Sequence, residues 1–275
     1  MDNLQQTSKL ILHIGMHKTA STFLQRSYFK SLDCDFLTLK PFRENFSKQL
    51  STQTQLLSSE LMSGKPWNKK WLQGKANSHS WLTSYKVSID TLRKLFPKAH
   101  ILLFIRKHGN LLVSMYKQYI HEGGVLPLEQ FYGDHKVIQK SDLFLEERIH
   151  YVKERFENVH ILSFEIFRDE GIKYLDNFFN HLNIKRVKKV TMIKYNEGVS
   201  GNKLKALRLS NKLYRFIPHK VDVVLRKTGV TPRNILQNHL KFWSVSENNT
   251  IKNFKQKINL QYASDWHATL KYIFK

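Results

Sequence analysis

Cysteine occurs once in these 275 residues, at Cys34. No disulfide can therefore close within the chain, and no cysteine cluster can hold a metal. Acidic side chains are scarce too: 22 Asp+Glu stand against 45 Lys+Arg, a formal charge of +23. No window approaches the ~18 uninterrupted apolar residues of a membrane-spanning helix. The opening MDNLQQTSK lacks the basic stretch and apolar stretch of a secretory signal. Internal repeats, low-complexity tracts and linkers are also missing. These absences point to a reducing cytoplasm. With 41% apolar residues the chain is no disordered polyelectrolyte, and its length fits one domain over 1–275 with a full core.

The positive charge is unevenly spread. Residues 1–182 hold 25 basic and 18 acidic side chains, net +7, whereas residues 183–275 hold 20 and 4, net +16. Such a field gathers anions: a phosphorylated cofactor, an acidic glycan, nucleic acid or an anionic membrane face.

Periodicity divides the chain. KLILHIG (9–15) and TQLLSSE (54–60) read as strands, and AHILLFIR (99–106) as the central one, a run of apolar residues ended by a charge. HILSFEIF (160–167) reads as another strand. Helical spacing covers 19–29, 77–97, 110–120, 142–159 and 171–184, and places Trp81, Tyr85, Ile89, Leu92 and Leu95 on one face. Alternating strands and helices imply an α/β fold: a three-layer sandwich around a central parallel sheet spanning 9–190. Residues 191–275 read as a basic helical extension packed on it. Ligands of such sheets sit beyond the carboxyl ends of the strands, where residues 15–22, 58–60 and 106–114 converge.

HIGMHKTAST (13–22) is the most informative stretch. A glycine-containing turn from strand to helix exposes backbone N–H groups at the helix start, and the helix dipole favours an anion there. Lys18 adds a charge, and Thr19, Ser21 and Thr22 add hydroxyls. The nucleoside triphosphate pattern G-x-x-x-x-G-K-[ST] is not met, because Lys18 follows Gly15 by three residues with no second glycine before it. The central strand ends in Arg106, where a magnesium-dependent enzyme commonly carries an acid. A cation there attracts a second phosphate instead.

These residues resemble the sulfotransferases that use 3′-phosphoadenosine 5′-phosphosulfate (PAPS). GMHKTAST (15–22) is similar to the loop that binds the 5′-phosphosulfate, and bacterial members follow it with a Gln like Gln25. FIRKHGNLLVSMYKQY (104–119) resembles the 3′-phosphate motif, a strand-ending Arg106 with Ser114 eight residues on. SSE (58–60) resembles the segment with an acid near the acceptor. The likeness runs in order from about 9 to 200, and SENNTIKNFK (246–255) echoes a C-terminal segment of bacterial members. Ala20 replaces a common glycine, which costs little if φ there is negative. His108 stands where many eukaryotic members have proline, and YNEGVSGNK (195–203) is the candidate for a loop closing on the 3′-phosphate.

The resemblance implies a P-loop nucleotide hydrolase-like fold and metal-free transfer from PAPS. Gly15, His17, Lys18, Thr19, Ala20, Ser21 and Thr22 then hold the 5′ end, and Arg106 and Ser114 the 3′-phosphate. Lys18 neutralises the leaving group, and Glu60 acts as general base with His17 as the other candidate. The implied acceptor is a bacterial surface glycan or glycolipid, acidic in character, as in capsule or lipopolysaccharide. KLYRFIPHKVDVVLRK (212–227) is basic and apolar enough to touch an anionic membrane surface, which would place the protein at the inner membrane. Two rivals are a metal-dependent P-loop kinase and a non-enzymatic polyanion binder. No zinc-finger spacing or RNP motif points to nucleic acid.

Overall fold

The computed structural model describes residues 9–38, 54–66, 80–191, 202–217, 225 and 249–275. Five strands form one sheet: β1 (Leu10–His13), β2 (Asp35–Thr38), β3 (Gln55–Ser58), β4 (His100–Ile105) and β5 (Val159–Ser163). Their order is β2-β3-β1-β4-β5, all parallel. Parallel strands need crossovers, and these bring helices to both faces.

Alternation along the strands builds two cores. Leu12, Leu57, Ile101, Leu103 and Ile105 point to one face. There they meet α2 (Trp81–Leu95), α3 (His108–His121) and α5 (Leu145–Lys153). Ile11, Leu56, Leu102, Phe104 and Leu162 point to the other, against the helical turns after β1 and α7 (Ile172–His181). The fold is thus a three-layer α/β sandwich around a parallel sheet, as the alternation implies.

Several elements differ from the sequence reading. β2 is an unforeseen edge strand, four half-buried residues. The helix after β1 begins as α1 (Ser21–Phe23), opens into a π turn over Leu24–Tyr28 and tightens into a 3-10 turn at Phe29–Ser31. The strand expected over 160–167 ends at Ser163. The Ser163 hydroxyl accepts from the backbone N–H of Glu165 and Ile166, which starts α6 (Phe164–Glu170). The helix expected over 142–159 is α5 alone, preceded by a 3-10 turn (Lys140–Leu143) in which buried Asp142 accepts from the Leu82 and Gln139 N–H groups. Leu95 is exposed, and Phe96 packs toward the core instead. A short α4 (Leu128–Phe131) precedes this turn.

Within 191–275 the described elements are α8 (Asn202–Tyr214), α9 (Asn249–Gln261) and α10 (Ala263–Thr269). Leu204, Leu207, Ile251 and Ile258 enter the first core. α9 lies very close to α3. Gly109 N donates to Asn259 Oδ1 at 2.8 Å, and a Cβ on Gly109 would collide with the Lys255 carbonyl. Asp265 of α10 ties two helix starts together. It accepts from Leu145 N (2.9 Å) and Glu146 N (3.2 Å) at the head of α5, and from His108 Nε2 (2.8 Å) at the head of α3. The His108 ring is buried and stacks on Tyr262. The chain then returns to the sheet, where Phe274 N donates to the Ile161 carbonyl.

Candidate functional site

The loop after β1 is built on β4. Ile14 N and Met16 N donate to the Leu102 and Phe104 carbonyls, so the backbone runs on beside β4 before turning. Both side chains are fully buried. The turn is closed by Thr19, whose hydroxyl donates to the Met16 carbonyl at 2.5 Å. That hydroxyl therefore holds the loop, a different use from the anion contact expected of it. Lys18 and Ala20 both have φ of 66°, so the condition under which alanine at 20 costs little is not met. The left-handed region costs an L-residue roughly 1–2 kcal/mol, and such strain persists where surrounding structure over-determines it.

Gly15 has a steric reason. A Cβ there would sit 2.5 Å from His13 Nε2. The His13 ring lies beneath the loop, its Nδ1 2.6 Å from the Ser58 hydroxyl, which also accepts from Gln25 Nε2 at 3.0 Å. Burial lowers the His13 pKa to about 4, despite the opposing influence of Glu60, so the ring is neutral at pH 7.

The tip of β3 brings Glu60 to the loop. A 3-10 turn (Glu60–Ser63) follows the strand, capped by Ser59, and Ser63 Oγ reaches the Gly15 carbonyl. His17 is held between Gly64 O (3.1 Å from Nε2) and Glu60 Oε2 (3.5 Å from Nδ1), with its ring edge toward Trp81. A carbonyl only accepts, so Nε2 carries a hydrogen. Burial works to raise the Glu60 pKa, but the His17 hydrogen bond and charge, the Ser21 hydroxyl and the Lys18 charge outweigh it. Glu60 is ionised at neutral pH.

β4 supplies Arg106. Its Nη1 donates to the Lys18 carbonyl at 2.7 Å, and its guanidinium lies 4.2 Å over the Phe164 ring. Burial lowers its pKa to about 10, Glu165 opposing, which leaves it charged. Lys18 Nζ donates to Gln118 Oε1 at 3.1 Å. Ser114, one turn before Gln118 on α3, shares that face. One donor at the loop, Arg106 Nε, is buried with no hydrogen-bond partner, while the buried Ser21 hydroxyl turns toward Glu60. A buried unsatisfied polar group is costly, so such an atom marks a place where an anion is missed.

The expected residues thus come together: Gly15, His17, Lys18, Glu60 and Arg106 form one cluster at the tips of β1, β3 and β4, with Thr22 half-buried at the start of α1. Sequence reasoning assigned no role to Gln118, Gly64 or Ser58, although Ser58 lies in the stretch 58–60 expected at the site. Gln118 also carried a signal, its helical spacing from Ser114. YNEGVSGNK lies mostly outside the described residues, since α8 starts at its penultimate residue. Among the described residues no three His, Cys, Asp or Glu side chains are grouped so as to hold a metal ion.

Solved sulfotransferases share this outline. One, from Alicyclobacillus acidocaldarius, overlaps with a TM-score of 0.48 and 11% identity, over 82% of this chain and 96% of that one. Mouse sulfotransferase SULT7A1, complexed with PAP, overlaps at 0.40 and 13%, over 98% and 92%. Both scores fall below one half, so the reading of the site rests on its own residues. No family model matches the chain, and no curated protein matches it significantly.

Proposed function

We propose that this protein transfers a sulfuryl group from PAPS to a hydroxyl of an acceptor. The observation that carries this reading is the convergence of Lys18, Glu60 and Arg106 around one loop, with Arg106 Nε buried there without a partner. That orphaned donor, beside the Lys18 charge, fits a phosphorylated group. PAPS, when bound, would supply an activated sulfuryl group, and PAP would depart with the broken bond's electron pair on its 5′-phosphate oxygen.

Each residue then has a task. Lys18 offers a full charge against the negative charge that grows on the departing oxygen, where a fixed cation is worth more than mobile water. Ser21, Thr22 and the loop N–H groups hold the 5′-phosphate. Arg106 braces the loop through the Lys18 carbonyl and, with Ser114, receives the 3′-phosphate. Glu60 takes the acceptor's proton. Its ionised state suits a base, and its lowered pKa limits the driving force for transfer. His17, fixed by Gly64 and facing Glu60, keeps that carboxylate in place.

The acceptor we favour is an acidic glycan or glycolipid of a bacterial surface. The +16 of residues 183–275 supports an anionic acceptor. The PAPS assignment is tested by calorimetric titration with PAP and with the analogue lacking the 3′-phosphate. PAP should bind the parent chain, and Arg106→Ala should lose PAP affinity about ten-fold or more while the analogue is little affected, the loss of a charge-assisted contact. Equal losses for both ligands would overturn the 3′-phosphate role.

A further inference from the structure

α8 has two apolar faces. Leu204 and Leu207 are buried on the inner one, and Asn211 Nδ2 donates to the Ile120 and Gly124 carbonyls at 2.7 and 2.9 Å. These contacts fix the helix against the end of α3. On the opposite side Leu209, Leu213 and Phe216 are 60, 64 and 85% exposed. They recur at i, i+4 and i+7, so they form one stripe, and the bonds from Phe216 N to Leu213 O and from Ile217 N to Tyr214 O carry the turn past the helix end. A helix of a freely soluble domain carries polar residues on that side.

The stripe's flank is basic. Lys205, Arg208, Lys212 and Arg215 follow its edge, and Lys203 brings 202–217 to five cations with no carboxylate. Apolar side chains beside a row of cations suit an anionic lipid surface: the stripe enters the acyl boundary and the cations face headgroup phosphates. A second copy of this chain is a poor occupant. Pairing two such faces would set five cations against five, on molecules each carrying +23.

We propose that the outer face of α8 docks the protein on an anionic lipid surface, with Leu213 and Phe216 in the acyl boundary. α8 is bonded to the end of α3, and Gln118 near that end touches Lys18. Docking therefore holds the anion loop at a fixed relation to the membrane plane. The inference goes beyond sulfuryl transfer and does not need it, because vesicle binding is measured without donor or acceptor.

Co-sedimentation with phosphatidylcholine vesicles, with and without phosphatidylglycerol, tests it. The parent chain should bind the anionic vesicles about ten-fold or more tightly than the neutral ones. The double variant Leu213→Ser, Phe216→Ser keeps all five cations, and should bind about ten-fold more weakly with an unchanged melting temperature. Phe216→Trp adds a gain-of-signal readout: blue-shifted emission on anionic vesicles, quenched by brominated acyl chains. Failure of the parent to bind anionic vesicles at low salt would overturn the proposal. Undiminished binding of the double serine variant would also overturn it, leaving charge alone. A dimer in sedimentation equilibrium that the serine variant dissolves would give the face to a second copy instead.

Discussion

Lys18 and Ala20 share a backbone conformation that glycine adopts freely, yet neither is glycine. At position 18 the side chain is needed. At position 20 the half-buried methyl group packs against the second core, a contact smaller than the left-handed cost, so Ala20→Gly should relieve strain. Removing a left-handed alanine recovers roughly 1–2 kcal/mol, and the extra freedom of unfolded glycine and the lost methyl contact return part of it, for a net gain of about 0.5 kcal/mol. A rise in the midpoint of urea unfolding would register this, and a fall would show that the Ala20 methyl is packed to advantage. Glu60→Gln keeps the side chain's size but removes the ionised oxygen that faces His17. It should lower kcat about a hundred-fold or more with PAP affinity retained, the usual worth of a positioned base. An unchanged kcat would pass the role to His17. The cations at the site were legible because anion binding asks for them: a lysine in a strand-to-helix turn and an arginine at a neighbouring strand tip; Glu60 was legible from its place after a strand and from the resemblance of SSE (58–60). Their conformations were not. The use of the Thr19 hydroxyl on Met16, and the two left-handed residues, depend on how the loop lies along β4.

α3 is the element on which most of the site depends. It starts one residue after Lys107, carries Ser114 and Gln118, and packs against α9 at Gly109. Gly109→Ala would drive a methyl group into the Lys255 carbonyl, which a backbone cannot yield cheaply. We expect a loss of about 1–3 kcal/mol, the cost of overpacking a filled interface. Thermal unfolding measures it, and an unchanged melting temperature would show that α9 shifts freely on α3. The long periodic elements, α2, α3 and α7, were readable from apolar spacing. β2 was not, since four half-buried edge residues carry no alternation. The stretch 164–167 misled because Phe164, Ile166 and Phe167 suit a strand as well as a helix. The deciding group is the Ser163 hydroxyl, which caps the two following N–H groups.

At the scale of the whole molecule, buried histidines make the fold sensitive to acid. Burial lowers the pKa of His13 from 6.5 to about 4, against a partly opposing Glu60. Burial together with His100, His181 and Lys9 does the same for His160. His100, 3.2 Å from His160, is lowered by burial and Lys9. The unfolded chain binds the His13 and His160 protons near pH 6.5, and the folded chain binds them only near pH 4. Unfolding thus takes up protons in that window, and stability falls as pH drops from about 6.5 toward 4. For the fully buried His13 ring the complete loss is roughly 3 kcal/mol. Urea midpoints measured at pH 7, 6 and 5 should decline steadily, before carboxylates contribute. A flat profile would show that these rings are protonated in the fold.

The bonds of Asp265 reach back more than a hundred residues, to the heads of α5 and α3, and Ile273 reaches β5. A ribosome emits these partners in the opposite order from their need. While residue 265 is still unmade, His108 and the first N–H groups of α5 have no carboxylate to meet, so the helix bearing Ser114 and Gln118 is held in register only late in translation. Nascent chains arrested shortly before residue 265 should remain open to protease around 106–118, and those arrested on a fused linker that carries Lys275 clear of the ribosome should not.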